Sequence, residues 1–201
     1  MSFEIRWFFE GSCSSEIINW MQAKNCKSKE QPDHYLLLPE EHSTFIGVKK
    51  SRGTFDIKYR KLFYELSVLN GDITGKVEFW DKCRIKLTDP ENYSFQGISF
   101  EQVKIDKIRH TKAYDITLPN LEIKPSEKDV DQGVKLELAT IKTQRGDWWS
   151  LAFDCFANST EKQRKIMEFG VGEILKDYEG PKLKIENSLS YPEWISRMYK
   201  E

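Results

Sequence analysis

The chain has 201 residues and a formal net charge of -1, with 39% hydrophobic and 31% charged residues and 12 Phe, 8 Tyr and 6 Trp. Aromatics on this scale bury enough area to offset the entropy of ordering, which excludes a mostly disordered chain. The near-zero charge gives no global pull toward nucleic acid or an anionic membrane, so an anion-binding surface has to come from local sorting of the Lys and Arg residues.

Ser2–Glu10 alternates, with Phe3, Ile5, Trp7 and Phe9 on one side and Glu4, Arg6, Phe8 and Glu10 on the other, and this predicts a strand. Gly11 ends it, and Ser14 or Ser15 then caps a short helix carrying Ile17, Ile18 and Met21. A strand begins at His34 (HYLLLP). Residues 44–50 and 54–60 form the strongest hairpin signal, two alternating runs joined by Ser51-Arg52-Gly53. Residues 62–69 read equally as strand or short helix, and Asn70-Gly71 and Gly75 mark turns. A long strand pattern over 76–87 puts Glu78, Trp80, Lys82 and Arg84 on one side, and Pro90, Glu91 and Asn92 break the chain after it.

Residues 100–108 and 113–118 predict two further strands, and 119–133 predicts a solvated connection. A second hairpin spans 134–143 and 148–156 around Gln144-Arg145-Gly146-Asp147. Two capping boxes, Thr160 with Gln163 and Ser190 with Glu193, open the closing helices. This is one mainly β (α+β) domain over residues 1–201, a barrel or sandwich, with a C-terminal helical segment at about 159–201 packing on it.

The four cysteines lie far apart with no C-x-x-C pair and the three histidines are scattered, so no zinc spacing emerges and reduced cysteines are expected. The first residues lack a basic segment followed by an apolar run, and no apolar stretch approaches the ~20 residues that span a bilayer. A soluble, cytoplasmic protein is expected.

Four pairs of charged residues stand two apart and so share strand faces: Glu4 and Arg6, Lys58 and Arg60, Lys82 and Arg84, Lys107 and Arg109. The opposite faces of the first three strands are apolar, whereas Val103 and Ile105 share parity with Lys107 and Arg109. If helices cover the apolar faces, the charged faces line solvent or a closed interior. A barrel lined by Lys and Arg makes a site for a polyanion, and interior carboxylates such as Glu4, Glu78, Glu137 and Asp154 suit a hard cation such as Mg²⁺ or Mn²⁺. A sandwich with surface ion pairs remains open on this pattern. Trp80, Trp148 and Trp149 suit either base stacking or a core, and His110 suits either proton donation or simple exposure.

The runs FEIRWFFEG, GVKKSRGTFDIKYR, KVEFWDKCRI, VKIDKIRHTKAYDI, VKLELATIKTQRGDWWSLAFDCF and SLSYPEWI occur in an order that resembles the CYTH superfamily, the triphosphate tunnel metalloenzymes. The resemblance implies an eight-stranded antiparallel tunnel barrel, open at both ends, with flanking and C-terminal helices. It implies a polyphosphorylated small molecule as ligand and Mg²⁺- or Mn²⁺-dependent triphosphatase activity. Carried onto this chain, Arg6, Lys58, Arg60, Lys82, Lys107 and Arg109 would bind phosphate, and Glu4, Glu78, Glu137 and Asp154 would hold metal. The family's E-x-E-x-K signature reads Glu4, Arg6 and Phe8 here, and its late E-x-E pair reads Ala152 and Asp154. Two acids are thus replaced, and a non-catalytic barrel binding a ligand or a partner protein is the alternative. A barrel for an apolar ligand would instead turn Arg60 and Arg109 outward.

Overall fold

The computed structural model describes residues 2–51, 54–86 and 101–200; the expected turn at Arg52-Gly53 and the break at Pro90, Glu91 and Asn92 lie outside them. In chain order the elements are β1 (Ser2–Glu10), α1 (Ser15–Gln22), β2 (Lys27–Glu30), β3 (Asp33–Leu36), α2 (Glu40–Ser43), β4 (Ile46–Ser51) and β5 (Thr54–Val68). There follow β6 (Ile73–Lys86), β7 (Gln102–Thr117), β8 (Glu122–Ser126), β9 (Gly133–Thr143), β10 (Gly146–Phe156), α3 (Thr160–Ile174) and α4 (Tyr191–Lys200).

Eight strands pair antiparallel in the order β7-β3-β4-β5-β6-β1-β10-β9, and the β7–β9 pairing closes them into a ring. The short strands β2 and β8 both attach to β7.

The sequence places most of these elements, with four differences. Residues 62–68, left open between strand and helix by the sequence, continue β5 as strand beyond a register shift between Arg60 and Leu62, and Leu69 starts the turn that follows. The two strands expected over 100–118 are the single strand β7, because the polar run Arg109-His110-Thr111-Lys112 stays paired with β9 throughout. The connection over 119–133 contains β8, which pairs with the end of β7. Ser159 rather than Thr160 caps α3, its side chain accepting from the Lys162 amide.

The outward apolar faces are covered. Phe3, Ile5 and Trp7 of β1 pack in one core with Ile17 and Met21 of α1 and with Ile166, Met167, Val171 and Ile174 of α3. Gly170 lets α3 approach so closely, since a Cβ there would stand 3.0 Å from Ile116 and Val134 side chains. Burying such side chains stabilises by about 1.5–3 kcal/mol each.

A second apolar cluster lies inside the ring. Trp194 and Ile195 of α4 pack against Phe8, Tyr35, Val103, Ile105, Ala139 and Ile141. Phe8 and Trp194 stack with ring centres 4.5 Å apart. This explains the mixed parity of β7: Val103 and Ile105 face inward with Lys107 and Arg109, but at the end of the ring that α4 fills. The interior is therefore half apolar and plugged, and half charged.

Candidate functional site: a charged cavity inside the ring

The charged half of the interior encloses a cavity of about 130 Å³ lined by Glu4, Arg6, Lys49, Asp56, Lys58, Lys107, Arg109, Glu137 and Asp154, with Tyr35, Trp80 and Tyr191 among the neutral walls. Strand alternation brings the strand residues together, since each belongs to the inward parity of its strand, and α4 adds Tyr191. The charges sort into three groups.

The first surrounds Arg6. Its Nε and Nη2 donate to Glu4 Oε1 at 3.2 and 3.1 Å, and its Nη1 donates to Glu137 Oε1 and Ser150 Oγ, both at 3.0 Å. Glu137 also accepts from Arg109, at 2.7 Å from Nε and again from Nη2. Lys58 donates to Glu4 Oε2 at 3.3 Å. Register makes this reach possible: Arg6 pairs with Ala152, and Ala152 pairs with Glu137, so a methyl group separates guanidinium from carboxylate along the row. Burial alone would raise the Glu4 carboxyl, but Lys58 and then Arg6 hold it down at about 2. Glu137 is likewise held well below the ordinary carboxylate range against its burial, by Arg6 and Arg109. Asp154 goes the other way: burial, then the Glu4 and Glu137 charges, push it up to about 6.

The second group centres on Asp33, which is fully buried. Lys49 donates to its Oδ2 at 3.2 Å and Lys107 to the same atom at 2.5 Å. Two ammonium groups thus share one carboxylate. Burial lowers Lys49 to about 8 although Asp33 opposes the shift, and it lowers Lys107 as well. The Lys107 ammonium also sits 4.4 Å from the centre of the Tyr191 ring, and the Arg6 guanidinium 4.7 Å from the centre of the same ring. The third group repeats the ratio: Lys82 and Arg84 both pair with buried Asp56, at 2.8 and 2.7 Å.

Of the residues expected to bind phosphate, Arg6, Lys58, Lys107 and Arg109 line the cavity, while Lys82 reaches Asp56 from its edge. Arg60 is not among the lining residues; it pairs with Glu78 at 2.5 Å and stacks on Phe63. Of the expected metal ligands, Glu4, Glu137 and Asp154 line the cavity and Glu78 does not. Glu78 is held by Arg60 and the Trp80 indole, and burial raises it to about 7. Among the described residues no group of three or more His, Cys, Asp or Glu is arranged to hold a metal ion. The donor set does not fit one, because Glu4 and Glu137 are bridged by Arg6.

Sequence reasoning misses Lys49, Asp33, Asp56 and Tyr191. Lys49 shares its strand face with Gly47, and this face is visible only once β4 has a register. Trp149 is buried and stacks on Phe9, while Trp148 meets Trp194 and Trp80 borders the cavity. His110 lies on the opposite parity of β7 to Lys107 and Arg109, its Nδ1 3.9 Å from Cys26 Sγ.

No protein-family model matches the chain, and no curated protein matches it. Among solved structures, the PH1819 protein from Pyrococcus horikoshii OT3 matches over 98% of this chain and 99% of its own, with a TM-score of 0.54 and 13% identity. What the two share is the fold. HpAC1 from Hippeastrum, assigned as an adenylyl cyclase and described as having a dominant triphosphatase activity, matches over 87% of this chain and 88% of its own, with a TM-score of 0.44 and 12% identity. No helix among the described residues is long and apolar enough to cross a membrane.

Proposed function

We propose that the chain binds a triphosphate or other polyphosphorylated small molecule in the charged cavity of the ring. The observation that carries this reading is the pair Lys49 and Lys107 on the single carboxylate of Asp33, both lining the cavity. Two cations to one anion leave a surplus of positive charge there, and Lys82 with Arg84 on Asp56 add another at the edge. An ammonium carries three N–H donors. Lys49, Lys58 and Lys107 each donate one hydrogen bond to a carboxylate among the described residues, which leaves N–H groups for phosphate oxygens. In a confined, partly desolvated space such contacts are stronger than at a surface.

The cavity, at about 130 Å³, is smaller than the ~300 Å³ lower bound of ordinary ligand pockets. The phosphates occupy the interior in this reading and any larger group stays at the mouth. The order of motifs that resembles the CYTH superfamily supports the same ligand class. Hydrolysis with Mg²⁺ or Mn²⁺ is not part of the reading, since Glu4 and Glu137 are engaged by Arg6.

Isothermal titration with sodium tripolyphosphate tests it. Binding is expected in the wild type, weakened roughly tenfold or more in Lys49→Gln and in Lys58→Gln, since a hydrogen bond to a charged group is worth about 1.5–3 kcal/mol. Absence of binding to the wild type, or wild-type affinity in both variants, sinks the proposal.

A further inference from the structure

We infer that the Arg6 guanidinium is the resident cation of this site, holding the place between the carboxylates that a divalent ion would need, so that the polyanion binds without metal. The inference rests on the phosphate-binding reading for its ligand, but its metal half stands on geometry alone.

Arg6 is buried and lies between Glu4 of its own strand and Glu137 two strands away, touching both at 3.0–3.2 Å. A guanidinium has five N–H donors, and four contacts here are already spent on Glu4, Glu137 and Ser150. It therefore contributes to carboxylate neutralisation far more than to ligand contact. Around it, Arg6, Arg109 and Lys58 face Glu4, Glu137 and Asp154, so cations and carboxylates are equal in number. A divalent ion entering this group would leave two uncompensated charges in a buried site, close to a guanidinium that has lost its partners. Mg²⁺ also demands near-octahedral oxygen ligands at about 2.0–2.1 Å. Glu4 and Glu137 cannot supply them while they bind Arg6. Guanidinium, being more weakly hydrated than a metal ion or an ammonium, is the cation suited to such burial. The surplus positive charge that attracts the anion lies elsewhere, around Asp33 and Asp56.

Removing the guanidinium releases Glu4 Oε1 and Glu137 Oε1, with Asp154 lining the same cavity, and should open a cation site. Three measurements test this. Mn²⁺ alone, titrated into wild-type protein and followed by the loss of the free-ion electron paramagnetic resonance signal, is expected to show no stoichiometric binding. Arg6→Gln and Arg6→Glu are expected to bind Mn²⁺ at least tenfold more tightly than wild type, with folding checked by circular dichroism. Tripolyphosphate is expected to bind wild type with equal affinity in EDTA and in excess Mg²⁺, after correction for the ligand's own Mg²⁺ binding.

Stoichiometric Mn²⁺ binding to wild type that is lost in Glu4→Gln or Glu137→Gln overturns the inference. So does tripolyphosphate binding that requires Mg²⁺, or folded Arg6 variants that gain no Mn²⁺ affinity. If both Arg6 variants fail to fold, the two wild-type measurements decide. Tripolyphosphate binding under neither condition removes the proposed function, and the Mn²⁺ titrations still settle the role of Arg6.

Discussion

Replacing Asp33 by Asn removes one negative charge and little volume from a fully buried position. It leaves Lys107, whose side chain is 4% exposed, without its counter-ion, while Lys49 at 18% can turn into the cavity. Breaking a buried pair from one side costs about 3–5 kcal/mol. An independent bound comes from protonation. The buried lysine can escape by losing its proton, which from its ordinary value of 10.5 costs about 5 kcal/mol at pH 7. The two figures agree, and about 4 kcal/mol in a chain of this size lowers Tm by roughly 8–16 °C. The sign with pH follows from linkage. A lysine depressed in the folded state binds fewer protons there than in the unfolded state, so stability rises with pH between its folded and unfolded values. The defect of Asp33→Asn should therefore shrink by up to about 1.4 kcal/mol per pH unit, and be markedly smaller at about pH 9 than at pH 7. Urea denaturation of both proteins at the two pH values measures it. A defect under about 1 kcal/mol at pH 7, or one equal at both pH values, would refute the reasoning.

Three further predictions concern the same interior. Asp154, raised to about 6 from 3.8, holds its proton to higher pH when folded, so its charge costs stability above about pH 6 and the cost fades toward pH 4. Asp154→Asn should accordingly be more stable than wild type at about pH 8, by up to about 3 kcal/mol, with the gap closing in acid; thermal denaturation across pH checks this. Trp194→Ala empties the apolar end of the ring and should cost about 3–5 kcal/mol by chemical denaturation. Gly47→Ala would set a Cβ 2.5 Å from Pro192 Cγ, so α4 must shift. A loss of about 1–3 kcal/mol and faster trypsin cleavage near Arg197 are expected, and an unchanged protease pattern would count against the close packing of β4 on α4.

The two faces of β1 were readable directly, because Phe3, Ile5 and Trp7 alternate with Glu4 and Arg6 and each set went to a different environment. That the charged set faces inward follows from α1 and α3 having apolar residues enough to cover the outside. The charge partners were less accessible. Arg6 meets Glu137 across 131 residues and Lys107 meets Asp33 across 74, and no local pattern encodes either distance. Asp33 stands just after Pro32 in a polar stretch, so its complete burial shows only when β3 pairs with β4 and β7. The all-exposed strand β2 has no hydrophobic period to reveal it, and it exists because the backbone of β7 has an edge to pair with. Arg6 at an expected acidic position read as a loss; in the fold it is the centre of the ion-pair group.

The placement of β1 has a consequence for synthesis. It pairs on one side with β6 and on the other with β10, whose residues are 146–156. β1 must therefore wait with one hydrogen-bonding edge open until residues 146–156 have left the ribosome. Until then Arg6 has no Glu137 and no Ser150 to bond, and its charge keeps that waiting edge hydrated and unattractive to other unpaired strands. The residue that balances charge inside the finished ring thus guards the same strand before the ring exists.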